Sequence, residues 1–136
     1  MKRVLGIDYG LKRTGLAISD PLGIIASPLE TIETKNLLNY ILDLNKKEKI
    51  SVLVIGLPLN LKNKLFDIEE NIIEFIQKIK TYLPEIEIER IDERFTSKIA
   101  RNFLNTYSDK QKIRRKKENL DKVSASLILQ SYLERK

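Results

Sequence analysis

Neither cysteine nor histidine occurs among the 136 residues. Their absence excludes disulfide staples, thiolate nucleophiles, Ser-His and Cys-His relays and the usual zinc ligand sets. Any catalysis therefore falls to carboxylates. Their hard oxygens suit magnesium or manganese, ions that activate water and stabilise charge on a transferring phosphoryl group. Tryptophan is missing as well, and few aromatics are clustered, so the sequence offers little for stacking on flat rings. Met1-Lys2-Arg3 leads into a short apolar strand rather than a signal core. No apolar run approaches the roughly 18 residues that span a bilayer. The expectation is a cytoplasmic protein with no membrane partner. No Gly-Ser linker, repeat or composition break divides the chain, so residues 1–136 read as one domain.

A net charge of +6 and a pI near 9.5 favour an anionic partner, through phosphate attraction and counterion release. A lysine-rich bias spread over the whole surface accounts for the same numbers equally well.

Along the chain, Val4 to Asp8 and Gly15 to Ser19 read as strands joined by the turn-prone Tyr9 to Arg13. Ile24 to Ile32 supplies a third strand, confined by Pro28 to an edge or an irregular course. From Thr34, a plausible cap, Leu37, Leu38, Ile41 and Leu44 form a helical stripe. Val52 to Gly56 reads as a buried strand and Asp67 to Tyr82 as a helix. Ile86 starts a further strand that ends at Asp92. Thr96 is placed to cap a helix carrying Ile99, Ala100, Phe103 and Leu104, and a last helix runs from Asn119 or Leu120 to Leu133. The basic run Lys110 to Lys117 between them is expected to be a loop. Three antiparallel strands followed by strands alternating with helices imply an α/β fold with a mixed sheet, parallel in its second half.

Asp8 stands where a strand meets a Gly-containing turn, at the sheet end where ligands of α/β folds bind. Alone, it reads more readily as an aspartate bonded to the amides of its own turn. Asp92-Glu93-Arg94 ends the last strand at the same edge. It is equally a first-turn helix acid with an ion pair. Asp121 opens the last helix on a narrow face with Ser124, Ala125 and Ile128, and a helix-start acid explains it as well. Taken together, three carboxylates in one place repel one another unless a cation neutralises them. Lys12 and Arg13 beside Asp8, and Arg94 and Thr96 beside Glu93, could hold phosphates flanking a scissile bond. Solvated loop charges are the alternative. Arg114 and Arg115, in the basic run, could track a backbone without sequence preference.

Gly6-Ile7-Asp8-Tyr9-Gly10, Lys12-Arg13, Gly15 and Ser19-Asp20 resemble the opening signature of the YqgF (RuvX-like) family. Ile55 to Asn60, Asp92 to Ser97, and Asp121-Lys122 with Ser124 to Leu133 are similar to that family's further motifs, in the family's order. The resemblance implies a ribonuclease H-like fold, a five-stranded mixed sheet flanked by helices. It also implies pre-16S rRNA nuclease activity, or, by an older description, Holliday-junction resolution. By the same match Asp8, Asp121 and the acid of the Asp92-Glu93 pair, taken as Glu93, inherit the metal-binding and catalytic role. Two departures stand out. Leu61-Lys62-Asn63-Lys64 follows Asn60 where the family has an acidic Gly-containing turn, and Thr14 stands where an aliphatic residue is commoner.

The reading is a magnesium- or manganese-dependent phosphodiester hydrolase acting on precursor ribosomal RNA or branched DNA, as a monomer or weak dimer. Two rivals are an actin-like ATPase relative, for which the chain is too short to form two lobes, and a noncatalytic RNA-binding ribosome assembly factor.

Overall fold

The computed structural model describes residues 3–58, 67–92 and 110–135, with the side chains of the final helix given from Lys122 onward. The order is β1 (Arg3–Asp8), β2 (Arg13–Ser19), β3 (Ala26–Glu33), a 3-10 turn (Thr34–Asn36), α1 (Leu37–Lys47), β4 (Ile50–Leu57), α2 (Ile68–Tyr82), β5 (Glu87–Asp92) and α3 (Lys110–Arg135). The five strands lie in the order β3-β2-β1-β4-β5. β1, β2 and β3 are mutually antiparallel, whereas β4 runs parallel to β1 and β5 parallel to β4. This is the mixed sheet expected from the sequence.

Side chains alternate across the strands and so build two cores. Leu5, Ile7, Leu16, Leu53 and Ile55 meet Leu37 and Ile41 of α1 and Ile72, Phe75 and Ile79 of α2. Val4, Ala17, Val52, Val54 and Ile91 meet Ala125, Ile128, Leu129, Tyr132 and Leu133 of α3. Covered on both faces, β1 and β4 need apolar residues at nearly every position, which explains their continuous hydrophobic runs. α3 approaches closely because Gly6 faces it. A Cβ at Gly6 would fall 2.7 Å from the Leu129 Cβ and 2.8 Å from the Ala125 carbonyl oxygen.

Three local expectations need correction. The basic run Lys110 to Lys117 is helical, and α3 starts at Lys110 instead of Asn119 or Leu120. Lys, Arg and Gln are strong helix formers, and extending a helix already nucleated on the sheet costs little. Thr34 does not cap α1. It sits in the 3-10 turn, its hydroxyl donates to the Gly10 carbonyl at 2.6 Å, and α1 begins at Leu37 with no side-chain cap bond. Arg13 belongs to β2 rather than to the preceding turn, paired with Glu33. Pro28 does lie in the edge strand β3, opposite a register shift between Leu16 and Ala17. The helix read from Thr96 and the segment Leu61 to Lys64 lie outside the described residues. Among the described residues no helix is long and apolar enough to cross a membrane.

Candidate active site

Because β1, β4 and β5 are parallel, their C-terminal ends at Asp8, Leu57 and Asp92 share one edge of the sheet. Ile7 pairs with Ile55, which puts Asp8 level with Gly56, and Gly56 pairs with Ile91. Asp8 and the end of β5 are thus two strands apart, about 10 Å at the usual strand spacing. Asp8 is half-buried and has the parity of Val4 and Gly6, on the face covered by α3. Asp92 has the parity of Ile88, which packs on the α1 and α2 side.

Two contacts fix the direction of α3. At one end, Gln130 accepts from the Ala26 amide at 2.9 Å and donates to the Ile24 carbonyl at 3.2 Å, beside the turn joining β2 to β3. At the other, Lys122 lines a cavity of about 390 Å³ together with Arg13 and Glu33, where β2 begins and β3 ends. The helix therefore runs antiparallel to β1, with its Lys122 end at the Asp8 edge. The backbone of residue 121 lies one turn before Ala125, which packs against Gly6. Positions 8 and 121 come together on the same edge and the same face. The Asp121 side chain, Glu93, Arg94, Thr96 and the Arg114 and Arg115 side chains lie outside the described residues. Among the described residues no group of three acids assembles a metal cage.

Arg13 is exposed on the α3 face, and it lines the same cavity as Lys122, together with Glu30 and Glu33. Sequence reasoning quoted Lys122 in the Asp121-Lys122 motif but gave it no role; its position directly after Asp121 was the available signal. Lys12 is exposed on the β1–β2 turn. That turn is tightly held. A Cβ at Gly10 would lie 2.2 Å from the Arg13 carbonyl oxygen, and the Thr34 amide donates to the Lys12 carbonyl at 2.9 Å. The single Thr34 hydroxyl proton goes to Gly10, so the fully buried Thr14 must donate in the 2.8 Å contact between the two hydroxyls. The polar residue at position 14 is thereby satisfied.

The end of β4 is locked by Arg90, which was also not singled out. Its guanidinium pairs with Glu69 of α2 at 2.5 and 3.0 Å and donates to the carbonyls of Ile55 at 3.3 Å and Gly56 at 2.9 Å. At the opposite end of the sheet, Asp20 accepts the amides of Ile24 and Ile25, both at 2.8 Å. Those bonds hold its carboxyl below the ordinary aspartate range. Asp20 closes a turn containing Gly23 at φ 70°, and Ser19 accepts the Val4 amide at 3.0 Å. Ser19 and Asp20 are structural.

The sequence matches the family model described as "RuvX: Holliday junction resolvase" over residues 2–135. The chain belongs to the RuvX family. A relative from Bacteroides fragilis, named "Putative pre-16S rRNA nuclease", is 43% identical over 100% of this chain and 99% of its own length. Another of that name, from Amoebophilus asiaticus, is 46% identical over 98% of this chain and 94% of its own. Among solved structures, Thermus thermophilus RuvC in complex with a Holliday junction substrate aligns with a TM-score of 0.56 at 10% identity, covering 99% of this chain and 96% of its own. The fowlpox virus Holliday junction resolvase aligns at 0.50 and 19% identity, covering 98% and 99%. The RuvX chain thus has the ribonuclease H-like fold.

Proposed function

We propose that this RuvX-family chain is a divalent-metal-dependent nuclease that hydrolyses phosphodiester bonds in structured nucleic acid, acting in the cytoplasm on the ends of precursor 16S ribosomal RNA. The observation that carries the reading is the meeting of Asp8 with the start of the sheet-packed part of α3, on one edge and one face. The family match and the names of the full-length relatives support the same activity.

The donor set fits a hard cation. A chain without histidine or cysteine offers only oxygen ligands here, and Asp8 is half-buried at the edge. Asp8, Glu93 and Asp121 would hold magnesium or manganese. Asp92 shares the parity of the face opposite Asp8, which disfavours it as the third ligand. When bound, the ion supplies a more acidic water and charge stabilisation at the phosphorus. Arg13 and Lys122, flanking one cavity, grip substrate phosphates beside the acids. Lys12, exposed on the β1–β2 turn, is assigned to substrate contact as well, as are Arg94, Thr96, Arg114 and Arg115 by their places in the sequence. One domain over residues 1–136 carries the whole activity.

A second reading, cleavage of four-way DNA junctions, is favoured by the description of the family model. Labelled precursor 16S ends and a four-way junction, incubated in parallel with manganese, magnesium or chelator, separate the two. The rRNA reading expects metal-dependent cutting of the precursor ends; cutting of the junction alone would replace it with the second, and tight binding without any cutting would end both.

A further inference from the structure

A second cavity, of about 380 Å³, opens on the other side of the β1–β2 turn. It is lined by Tyr9 and Leu11 of the turn, Lys35 of the 3-10 turn, Leu38 at the start of α1, and Phe75 and Lys78 of α2, among others. Its size falls within the roughly 300–1,000 Å³ of small-molecule sites. Tyr9 and Phe75 are 66 positions apart in the sequence, yet their rings stand 5.9 Å apart at 38°. This aromatic pair is invisible to a reading that looks only for clustered aromatics. Leu11 is 66% exposed, although the bonds from Thr34 to Gly10 and Lys12 hold its turn in place. A half-buried Tyr9 ring backed by the buried Phe75, an uncovered Leu11 and two exposed lysines in one lining have the chemistry of a nucleotide site: a π-face and apolar surface for a base, positive charge for its phosphate.

We propose that this cavity receives one unstacked nucleotide of the substrate strand, its base against Tyr9 and Leu11, with Phe75 backing the Tyr9 ring, and its phosphate between Lys35 and Lys78. The proposal rests on the nuclease reading, because Tyr9 directly follows Asp8 and sends its ring to the opposite face. A strand cut at the Asp8 edge would cross that edge and place a neighbouring base in the cavity. Lys35 is paired with Glu33 at 3.1 Å, but both groups are largely in water, where such a pair yields readily to a phosphate. Glu74, also in the lining, offers a carboxylate that accepts from exocyclic amino groups. Guanine, adenine and cytosine are therefore favoured over uracil.

The test titrates the isotope-labelled full chain with each of the four nucleoside 5′-monophosphates without metal, following amide resonances. Saturable shifts at Leu11, Lys35 and Lys78, weakest for UMP and reduced about tenfold in affinity by Leu11→Ser or Tyr9→Leu, are expected. The spectra of both variants report their folding directly. In a second arm, manganese-dependent cutting is compared for a substrate with intact bases and for the same substrate made abasic in turn at each position within three nucleotides of the cut. One abasic position is expected to slow cutting about tenfold. Shifts confined to Arg13 and Lys122, or none, would overturn the site. GMP binding with no slowing at any abasic position would overturn it as a substrate subsite and leave a free-nucleotide site. Nucleotide shifts at the cavity in a chain that cuts nothing would sink the nuclease reading and sustain the cavity's ligand class.

Discussion

The two faces of the sheet are built on opposite principles. On the α1 and α2 side, large aliphatic side chains and Phe75 fill a deep core, closed at the functional edge by the Arg90–Glu69 pair. On the α3 side the contacts at the centre are small, Gly6 and Ala17 against Ala125, so the helix backbone comes down onto β1. Bulk supports stability on the first face. Closeness brings position 121 to the Asp8 edge on the second. The difference teaches that two substitutions of similar thermodynamic cost can have unlike functional cost, depending on which face they strike.

Glu69→Ala should give the largest loss of stability. It leaves the Arg90 guanidinium, 22% exposed, without its carboxylate, and cutting one partner of a buried pair costs about 3–5 kcal/mol. Urea unfolding would measure it; a loss under 1 kcal/mol would mean that the Ile55 and Gly56 carbonyls alone satisfy Arg90. Gly6→Val should cost about 1–3 kcal/mol by overpacking. It should also depress metal-dependent cutting at temperatures where the variant is fully folded, because α3 must lift. Equal activity per folded molecule would break the comparison between the faces.

Thr14→Val should be milder, about 1 kcal/mol, since it removes a donor to Thr34 while Thr34 still holds Gly10. The smallest effect belongs to Asp20. Its pKa is lowered in the folded chain by the Ile24 and Ile25 amides, so its charged form is favoured by folding. That contribution is complete above the ordinary aspartate value of 3.8 and is lost as pH falls through the folded pKa. The stability difference between the parent and Asp20→Asn should therefore shrink below about pH 4; a difference that stayed constant to pH 2 would deny the role of the turn bonds.

The sheet was legible because its signals are local: period-two alternation at the edges, unbroken apolar runs in β1 and β4, and Gly10 and Pro28 marking turn and edge. Gly6 and Ala125 could be read as part of a motif, but their mutual contact is a property of the folded chain. Arg90 was opaque for the same reason. A lone arginine in a strand carries no mark of the glutamate 21 positions earlier that it will meet. The basic run was misread because charge density suggests a solvated loop, whereas Lys and Arg lose little entropy in a helix that the sheet has already started. Asp8 was legible only in company: alone it resembles Asp20, whose carboxylate serves its own turn.

The central claim is that Asp8 anchors a metal-dependent catalytic centre, and Asp8→Asn tests it most directly. Manganese-dependent cleavage of precursor 16S ends is measured for the parent and the variant, with unfolding followed alongside. The account predicts cleavage at least 100-fold slower, in keeping with the size of lost transition-state charge stabilisation, with a nearly unchanged unfolding midpoint. A variant that cuts as fast as the parent would contradict it.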